Sequence, residues 1–423
     1  MAKQEQWAVN PNDLDILRKL ARRKAELAES PENRERRRLW LKHNGLHGER
    51  PMVLVEPWMA FDAIFDNKKE LQCSEEWARG LERGMRWENW RFENVRDDAV
   101  VEPCVNCGWK VNAGDFGVTV PKTRGQAADG MMGSYVWDAP IKNIGRDFHK
   151  LKPRTFSVDR EKTLEWKSHL EGIFDGILKV RMRSGYWWTL GMTGQVIELI
   201  GLENLMLFMY DDPDGLHKIM TFVRDENLKF AAWLEKEGLM TLNNENDYIG
   251  SGTLGYTTSL PADGYVAEKP ARMKDQWVLL ESQETVGVGP EQFERFVFPY
   301  QLSVAEKFGL VYYGCCEPVH TRWHVLKKLP NLRSVSVSPW CNQEFMAAAL
   351  GRKYVFSRKP NPAMISTAKF DEDFIRRDLR RTLEIARDCE LEIIMKDIHT
   401  LAGQPMRVAR WVELAREEID KCR

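Results

Sequence analysis

The chain reads Leu310-Val311-Tyr312-Tyr313-Gly314-Cys315-Cys316-Glu317-Pro318 where a short apolar run ends in two thiols and a carboxylate. The apolar run predicts a buried strand, and the glycine and proline mark its end. In α/β proteins with parallel strands, ligands bind at the carboxyl ends of the strands. The stretch therefore indicates a functional site at one end of a parallel sheet.

Further strand candidates alternate with helical stretches along the rest of the chain. The eight predicted strands are residues 52–55, 99–101, 177–180, 240–242, 311–313, 334–337, 354–356 and 392–395. Eight successive β-then-α units predict an α/β fold of the (β/α)8 TIM-barrel type. A doubly wound sheet is the alternative.

The sequence also predicts an N-terminal helical extension and two insertions. Residues 1–48 read as helices, with Asn12 and Asp13 as candidate caps, and residues 49–423 form the predicted barrel. The regions 105–160 and 250–275 are rich in glycine and break the alternation. Loops of that length are usually binding loops or lids, so we expect the second to cap the barrel mouth.

Composition restricts the class of protein. The chain of 423 residues has 62 Lys and Arg against 63 Asp and Glu, and the net charge of −1 gives no electrostatic case for nucleic acid or an anionic membrane. No stretch approaches the roughly 20 apolar residues that span a bilayer. The start of the chain lacks the apolar core of a signal peptide. Eight cysteines in so long a chain fit a reducing compartment. We expect a soluble cytoplasmic protein that acts on a small molecule, with a homodimer as one candidate assembly.

Polar and aromatic residues follow the predicted strands and would converge on one barrel mouth. Candidates for substrate binding are Tyr186, Trp187, Asn243, Asn244 and Arg358, and candidates for catalysis are Glu245, Asp397 and Tyr313. Carboxylates suit proton transfer, and arginine suits a carboxylate or phosphate group. Turn and cap formation is the alternative for the Asn residues, and a surface turn is the alternative for Arg358.

Thiolate, carboxylate and imidazole groups predict a zinc site at this mouth. Its ligands would be Cys315 or Cys316, Glu317 and His399, which would leave the open position that a catalytic zinc requires. Zinc there would activate a bound group or polarise a leaving group. The alternative is that adjacent cysteines are small buried apolar residues. On a regular strand, at most one of the two thiols would face the pocket.

A second cysteine motif, the C-x-x-C at residues 104–107, stands alone. Without a second pair it does not predict a structural zinc site. Gly108 and Trp109 argue against the helix start that a redox motif needs.

Two stretches of the sequence carry a family resemblance. The first, residues 201–213, begins Gly-Leu-Glu-Asn-Leu and ends Tyr-Asp-Asp-Pro. The second, residues 288–300, reads Val-Gly-Pro-Glu-Gln-Phe-Glu-Arg-Phe-Val-Phe-Pro-Tyr. The first resembles a helix pair before the fourth strand of the uroporphyrinogen decarboxylase superfamily, and the second resembles the helix that leads into its fifth strand. The resemblance covers the half of the chain from Gly201 onward and implies a (β/α)8 barrel.

The superfamily has two functional branches, and the resemblance favours one of them. The decarboxylase signature of arginines around a Gln-Ala-Gly core is absent, and residues 50–53 are the nearest stretch. The methyltransferase branch has His-x-Cys after the fifth strand and a further Cys after the eighth. Here Tyr313-Gly314-Cys315 keeps the first Cys without the His, and His399 follows the eighth strand in place of the Cys.

The resemblance implies a zinc-dependent methyltransferase that moves a methyl group from a small methylated or methoxylated substrate to a corrinoid protein. Because the chain has no Asp-x-His-x-x-Gly cobalamin motif, the corrinoid would come with a partner protein. One alternative is a metal-independent lyase or decarboxylase that uses Arg358, Asp397 and Tyr313 on a carboxylated substrate. A second alternative is a ligand-binding barrel without catalysis.

Overall fold

The computed structural model describes residues 7–57, 60–64, 70–126 and 132–422. Residues 1–6 of the predicted extension and 127–131 of the first predicted insertion lie outside this part of the chain. Its strands are β1 (Met52–Val55), β2 (Cys104–Cys107), β3 (Lys110–Asn112), β4 (Lys122–Gln126), β5 (Met132–Trp137), β6 (Ser157–Asp159), β7 (Lys179–Met182), β8 (Trp277–Leu280), β9 (Leu310–Tyr313), β10 (Leu332–Val337), β11 (Val355–Arg358) and β12 (Glu390–Met395). Its α-helices are α1 (Pro11–Ala28), α2 (Pro31–Asn44), α3 (Phe61–Ile64), α4 (Glu76–Trp90), α5 (Ile144–Asp147), α6 (Arg160–Phe174), α7 (Thr193–Ile200), α8 (Leu202–Asp211), α9 (Pro213–Lys236), α10 (Pro290–Phe296), α11 (Phe298–Ala305), α12 (Trp323–Leu326), α13 (Gln343–Leu350), α14 (Ala363–Ser366), α15 (Glu372–Ile385) and α16 (Arg407–Lys421).

Six strands form a parallel central sheet in the order β1-β12-β11-β10-β9-β8. Five of them, all except β10, are buried along their whole length, as a parallel sheet covered on both faces requires. The strands predicted at 52–55, 311–313, 334–337, 354–356 and 392–395 lie in this sheet or overlap its strands. The fold is therefore α/β with a parallel central sheet and many helices.

A second parallel pair joins β2 to β7. The strand predicted at 99–101 is wrong, because the chain is irregular there and the strand begins at Cys104. The prediction at 177–180 overlaps β7. Cys104 and Cys107 of the C-x-x-C motif are separated by an odd number of positions on β2, so their side chains point to opposite faces.

The strand predicted at 240–242 is also wrong, and β8 is the strand that the prediction missed. The segment that follows residue 242 contacts β8 through a side chain instead of a backbone ladder. Asn243 Oδ1 accepts a bond from Trp277 N at 2.8 Å, and Asn243 Nδ2 donates to Trp277 O at 3.0 Å. One amide side chain thus satisfies two backbone groups that a neighbouring strand would otherwise satisfy.

Irregular segments lie along both edges of the central sheet. Beside β1, Asp98 N donates to Val53 O at 2.8 Å, a few residues before β2 begins. Beside β8, Leu190 N donates to Leu279 O at 3.0 Å, a few residues after β7 ends. The chain near the β2–β7 pair therefore touches both edges of the six-stranded sheet.

Two small antiparallel pairs, β3 with β6 and β4 with β5, occupy the region predicted as the first insertion. Within the described residues, no helix is both long and apolar enough to cross a membrane.

Of the two N-terminal helices, α2 packs on the central sheet and α1 packs against α4 and α6. The side chain of Asn10, rather than Asn12 or Asp13, caps α1, and the side chain of Ser30 caps α2. Trp40 of α2 is completely buried and packs with Met52, Leu54 and Ile394 of the central sheet in a cluster separate from the main core. The sheet consequently has one face covered by the main set of helices and an inner face closed in part by α2.

Candidate active site

Both adjacent cysteines project to the same side because the strand ends before them. Gly314 has φ +97°, a conformation that favours glycine, and it terminates β9 at Tyr313. The sulfur atoms of Cys315 and Cys316 lie 3.6 Å apart. The rule that at most one thiol faces the pocket holds for a regular strand, and the turn at Gly314 removes that restriction.

Three further side chains complete what we call the thiol cluster, which consists of Cys315, Cys316, Ser251, Lys396 and Asp397. Ser251 Oγ lies 3.4 Å from Cys315 Sγ and accepts a bond from Lys396 Nζ at 2.9 Å. Cys316 Sγ lies 3.8 Å from Asp397 Oδ2. The predicted site residue Asp397 is therefore beside the thiols, together with Ser251 and Lys396, which the sequence analysis did not single out.

The surroundings shift the pKa values of the two thiols in opposite directions. The hydrogen bond from Cys316 lowers the pKa of Cys315, against the opposing effect of burial and with the help of Lys396. The same hydrogen bond, together with burial, raises the pKa of Cys316. Burial alone would lower the pKa of Lys396, but Cys315 and Asp397 outweigh it and raise that pKa. The arrangement therefore favours an ammonium at Lys396, close to the thiol whose pKa is lowered.

The predicted zinc ligands do not assemble into one site. Glu317 is fully buried, and its two carboxylate oxygens accept backbone bonds from Ser282 N at 2.8 Å and Cys315 N at 2.9 Å. His399 is exposed. Among the described residues, no group of three or more His, Cys, Asp and Glu is arranged to hold a metal ion. Two sulfur donors side by side are present, but the three protein ligands of a catalytic zinc are not, so the residues do not fit that ion.

A buried carboxyl group stands next to Glu317 at the end of β8. Burial raises the pKa of Glu281 well above its usual range, and the nearby carboxylates of Glu284 and Glu317 raise it further. Glu281 was missed because β8 was missed, so nothing in the sequence analysis marked it as a strand-end residue.

An aromatic cavity of about 300 Å³ lies against β8. Its lining includes Arg183, Tyr186, Trp187, Trp188, Asp247, Tyr248 and Trp277. The Tyr248 hydroxyl donates to Glu56 Oε2, just after β1, at 3.3 Å. The predicted pocket residues Tyr186 and Trp187 thus line a cavity, although Tyr186 also donates to Leu239 O at 2.8 Å.

The polar residues predicted after residue 242 lie apart from the thiols. Asn243 binds Trp277, and Asn244 Nδ2 donates to Leu260 O at 2.9 Å. Glu245 pairs with Arg37 at 3.1 Å, and with Arg181. Asn243 also lines the aromatic cavity.

Asn243, Asn246 and Asp247 of this segment line the aromatic cavity. Burial raises the pKa of Asp247 to about 6 against the opposing effect of Arg183, whose Nε lies 3.1 Å from Asp247 Oδ1.

Arg358 and Tyr313 point to the outer, helix-covered face. Tyr313 OH donates to Gln301 Oε1 of α11 at 3.0 Å, and Arg358 Nη1 donates to Ser338 O at 3.2 Å. The neighbours of these two residues, Tyr312 and Lys359, take the inner face instead, where Lys359 Nζ donates to Tyr312 OH at 2.9 Å. The alternation of side chains along a strand explains why Tyr313 and Arg358 take the face opposite to their neighbours.

A chain of buried polar groups crosses the inner face below the thiols. His43 Nδ1 lies 3.0 Å from Glu390 Oε1, and His43 Nε2 lies 3.3 Å from Glu392 Oε2. Glu392 also binds Ser357, whose hydroxyl contacts Lys359 Nζ. These groups are almost fully buried: His43 pairs with two carboxylates, and the hydroxyl groups of Tyr312 and Ser357 contact Lys359.

Comparison with known proteins finds a similarity in fold. No family model matches the sequence, and no curated protein matches it. A solved structure of a methyltransferase from Methanosarcina mazei is similar with a TM-score of 0.50, over 90% of this chain and 97% of that chain, at 10% sequence identity. At that identity the similarity concerns the arrangement of helices and strands along nearly the whole length of both proteins.

Proposed function

We propose that this protein is a methyltransferase that removes a methyl group from a small methylated or methoxylated substrate at the thiol cluster. The observation that carries the proposal is the pair of sulfurs of Cys315 and Cys316, 3.6 Å apart at the carboxyl end of a parallel strand, with Lys396 held nearby through Ser251. The similar solved structure bears the name methyltransferase, which supports the same class of reaction here.

The proposal includes a closed (β/α)8 barrel that forms from the central sheet and the β2–β7 pair. Cys316 and Asp397 follow β9 and β12, which have two strands between them. In a flat sheet those strand ends would be about 14 Å apart, at roughly 4.8 Å per strand. The distance of 3.8 Å between Cys316 Sγ and Asp397 Oδ2 requires strong curvature. The backbone contacts of Asp98 with β1 and of Leu190 with β8 link the two edges of the central sheet to the segments around the β2–β7 pair, which closes the proposed barrel.

The aromatic cavity is the proposed substrate site. Its walls of Trp187, Trp188 and Trp277 suit a flat apolar body, and its polar lining offers a few hydrogen-bonding groups. Tyr248 of this cavity donates to Glu56 after β1, and in the proposal the substrate extends from the cavity toward the thiol cluster with its methyl-bearing heteroatom.

The chain's own groups then stabilise the leaving heteroatom. When the methyl group departs, the bonding electron pair stays on the heteroatom, which becomes negative and takes up one proton. The Lys396 ammonium and the Cys316 thiol are placed to stabilise that charge as it develops. The acceptor that the family resemblance implies is a corrinoid carried by a partner protein, which supplies a nucleophilic cobalt.

Zinc belongs to the family hypothesis and not to the steps above. Cys315 and Cys316 are the two predicted ligands that lie together, whereas Glu317 is engaged with backbone amides and His399 is exposed. Metal analysis of the purified protein, beside its Cys316→Ala variant, tests zinc separately from methyl transfer.

The lyase alternative is less well supported. Two of the three residues that it requires, Arg358 and Tyr313, bind helix-side and backbone groups on the outer face.

The test is methyl transfer to free cob(I)alamin from a panel of methoxylated aromatic compounds, methylamines and methyl thioethers. We expect methylcobalamin to form with at least one donor, and its formation to fall by roughly 100-fold in Cys316→Ala, since removing one group that stabilises transition-state charge has an effect of that size. Cys422→Ala, which changes an exposed cysteine, is the matched control and should keep the activity. Activity that is unchanged in both Cys315→Ser and Cys316→Ala would exclude the thiol cluster as the site.

A further inference from the structure

Two thiols that face the same side at van der Waals distance form a bidentate donor. Cys315 and Cys316 are neighbours in sequence, and the turn at Gly314 brings their sulfurs to 3.6 Å without a disulfide bond. Gly314 has little room for a side chain, because a Cβ there would lie 3.2 Å from Ser336 Cβ and from Val319 Cγ1. The packing around the turn therefore holds both thiols in this arrangement.

We infer that Cys315 and Cys316 chelate trivalent arsenic in compounds that carry one organic substituent. Trivalent arsenic is thiophilic and three-coordinate, so two sulfurs and one carbon complete its bonding. This inference goes beyond methyl transfer and holds whether or not the protein catalyses that reaction, because it requires the two sulfurs alone.

The number of cysteine sulfurs at the site determines which arsenic compounds it should bind best. The next candidate donor, Cys341, is buried and directs its sulfur to Ser338 Oγ at 3.7 Å and Glu317 O at 3.9 Å, below the loop that carries the pair. In the described part of the chain, no third His, Cys, Asp or Glu joins the pair in a metal-binding arrangement. Inorganic arsenite, which is held best by three sulfurs, should therefore bind more weakly than a monosubstituted arsenical.

A cavity beside Cys316 has room for the organic substituent. It has a volume of about 450 Å³ and is lined by Gln283, Glu284, Val286, Cys316, Pro318 and Trp340. Val286 is 53% exposed and Trp340 is 67% exposed, so two apolar side chains stand open to solvent next to the thiol. An aryl group attached to arsenic would cover this apolar surface, which adds a favourable contribution from burial.

The binding step balances without an oxidant or a reductant. In a compound R–As(OH)2, two As–O bonds break and two As–S bonds form, and each hydroxyl group leaves as water with the proton of one thiol. Arsenic remains trivalent and both sulfurs keep their oxidation state. Cys316, which lines the cavity, meets the arsenical first, and Cys315, which is 4% exposed, closes the ring from the side of Ser251 and Lys396.

The experiment uses phenylarsine oxide, which is hydrated in water to the dihydroxy form, and inorganic arsenite. We expect one equivalent of phenylarsine oxide to remove two of the eight thiols from titration, and ethanedithiol but not a monothiol to restore them. Peptide mapping of the wild-type adduct should place the arsenic on the segment with Cys315 and Cys316. Cys315→Ser and Cys316→Ser should each bind roughly 100-fold more weakly, because the second, intramolecular bond is lost.

The double variant Cys104→Ser with Cys107→Ser is the matched control, since those cysteines lie on opposite faces of β2 and should not contribute. Three results would overturn the inference: an unchanged thiol count in the wild type, arsenic on the Cys104 and Cys107 segment, or arsenite binding as tight as that of phenylarsine oxide. The wild-type mapping and the comparison of the two arsenicals decide the question even if a cysteine variant does not fold.

Discussion

At the scale of the residue, Lys359 is a buried lysine whose protonation should be visible in the stability of the whole protein. Burial lowers the pKa of Lys359 to about 7, with Glu392 opposing the shift. The unfolded chain keeps this proton up to a pH near 10.5. Between about pH 7 and 10.5 the unfolded state therefore binds more protons, and Lys359 makes stability rise with pH by up to ~1 kcal/mol per unit. Lys359→Met should lose that rise, which urea unfolding at pH 7, 8 and 9 measures.

His43 should show the opposite dependence. Burial alone would lower the pKa of His43, but the contacts with Glu390 and Glu392 raise it to about 9, from a usual value of 6.5. Its stabilising contribution is complete below about pH 6.5 and is lost as the pH rises through 9. From pH 7 to 9 the free energy of unfolding should therefore rise in His43→Gln and fall in Lys359→Met. Parallel curves for wild type and both variants would show that these charges are wrongly assigned.

At the scale of the element, the side chain of Asn243 makes the two hydrogen bonds to β8 that a neighbouring strand would otherwise make. Asn243→Ala removes both bonds to the backbone of Trp277 and leaves two buried groups without partners, so we expect a loss of about 1–3 kcal/mol in the free energy of unfolding. Asn94→Ala is the matched control, because the Asn94 side chain makes an exposed bond to Trp90 O within its own helical segment. The control should change stability by less than about 0.5 kcal/mol. Chemical unfolding of the two variants side by side measures the difference, and equal effects would contradict the role given to Asn243.

Strands β9 to β12 could be predicted because each contains consecutive or alternating apolar residues and is followed by a loop or helix. Strand β8 could not, since Gln276 and Glu281 flank only four apolar residues and a glycine- and proline-rich region precedes it. The segment at 240–242 has the composition of a strand, but its neighbour Asn243 binds β8 through a side chain. The hydrophobic periodicity of a sequence does not reveal whether a segment bonds to its neighbour through the backbone or through a side chain.

The candidate site, like the strands, could be predicted only in part from the sequence. The sequence identified Cys315, Cys316 and Asp397, which the fold brings together. It missed Ser251 and Lys396, whose importance depends on contacts between distant parts of the chain. It chose Tyr313 and Arg358 over their neighbours because the face that a strand residue takes is not visible when both faces are buried.

At the scale of the whole molecule, the N-terminal helices are structural members of the core. The side chain of Asn44 donates to Leu254 O and to Tyr256 O, both at 2.9 Å, and Trp40 Nε1 donates to Asp98 O at 2.7 Å. These bonds join α2 to the segment after residue 243 and to the edge of β1. The extension thus closes the inner face, and its removal would expose the buried charges of that face to water.

Two substitutions on the same helix separate this role from a peripheral one. Trp40→Ala removes a fully buried side chain and should lower the free energy of unfolding by about 3–5 kcal/mol. Arg38→Ala removes exposed ion pairs with Glu35 and Glu49 and should change it by less than about 1 kcal/mol. Urea unfolding followed by tryptophan fluorescence, with far-ultraviolet circular dichroism as a second probe, measures both variants. If α2 were an appendage, Trp40→Ala would melt that helix alone, and the two probes would report a separate early transition while the main transition stayed where it is in the wild type. Because α2 is bonded to both the β1 edge and the segment beside β8, we expect one cooperative transition that shifts as a whole.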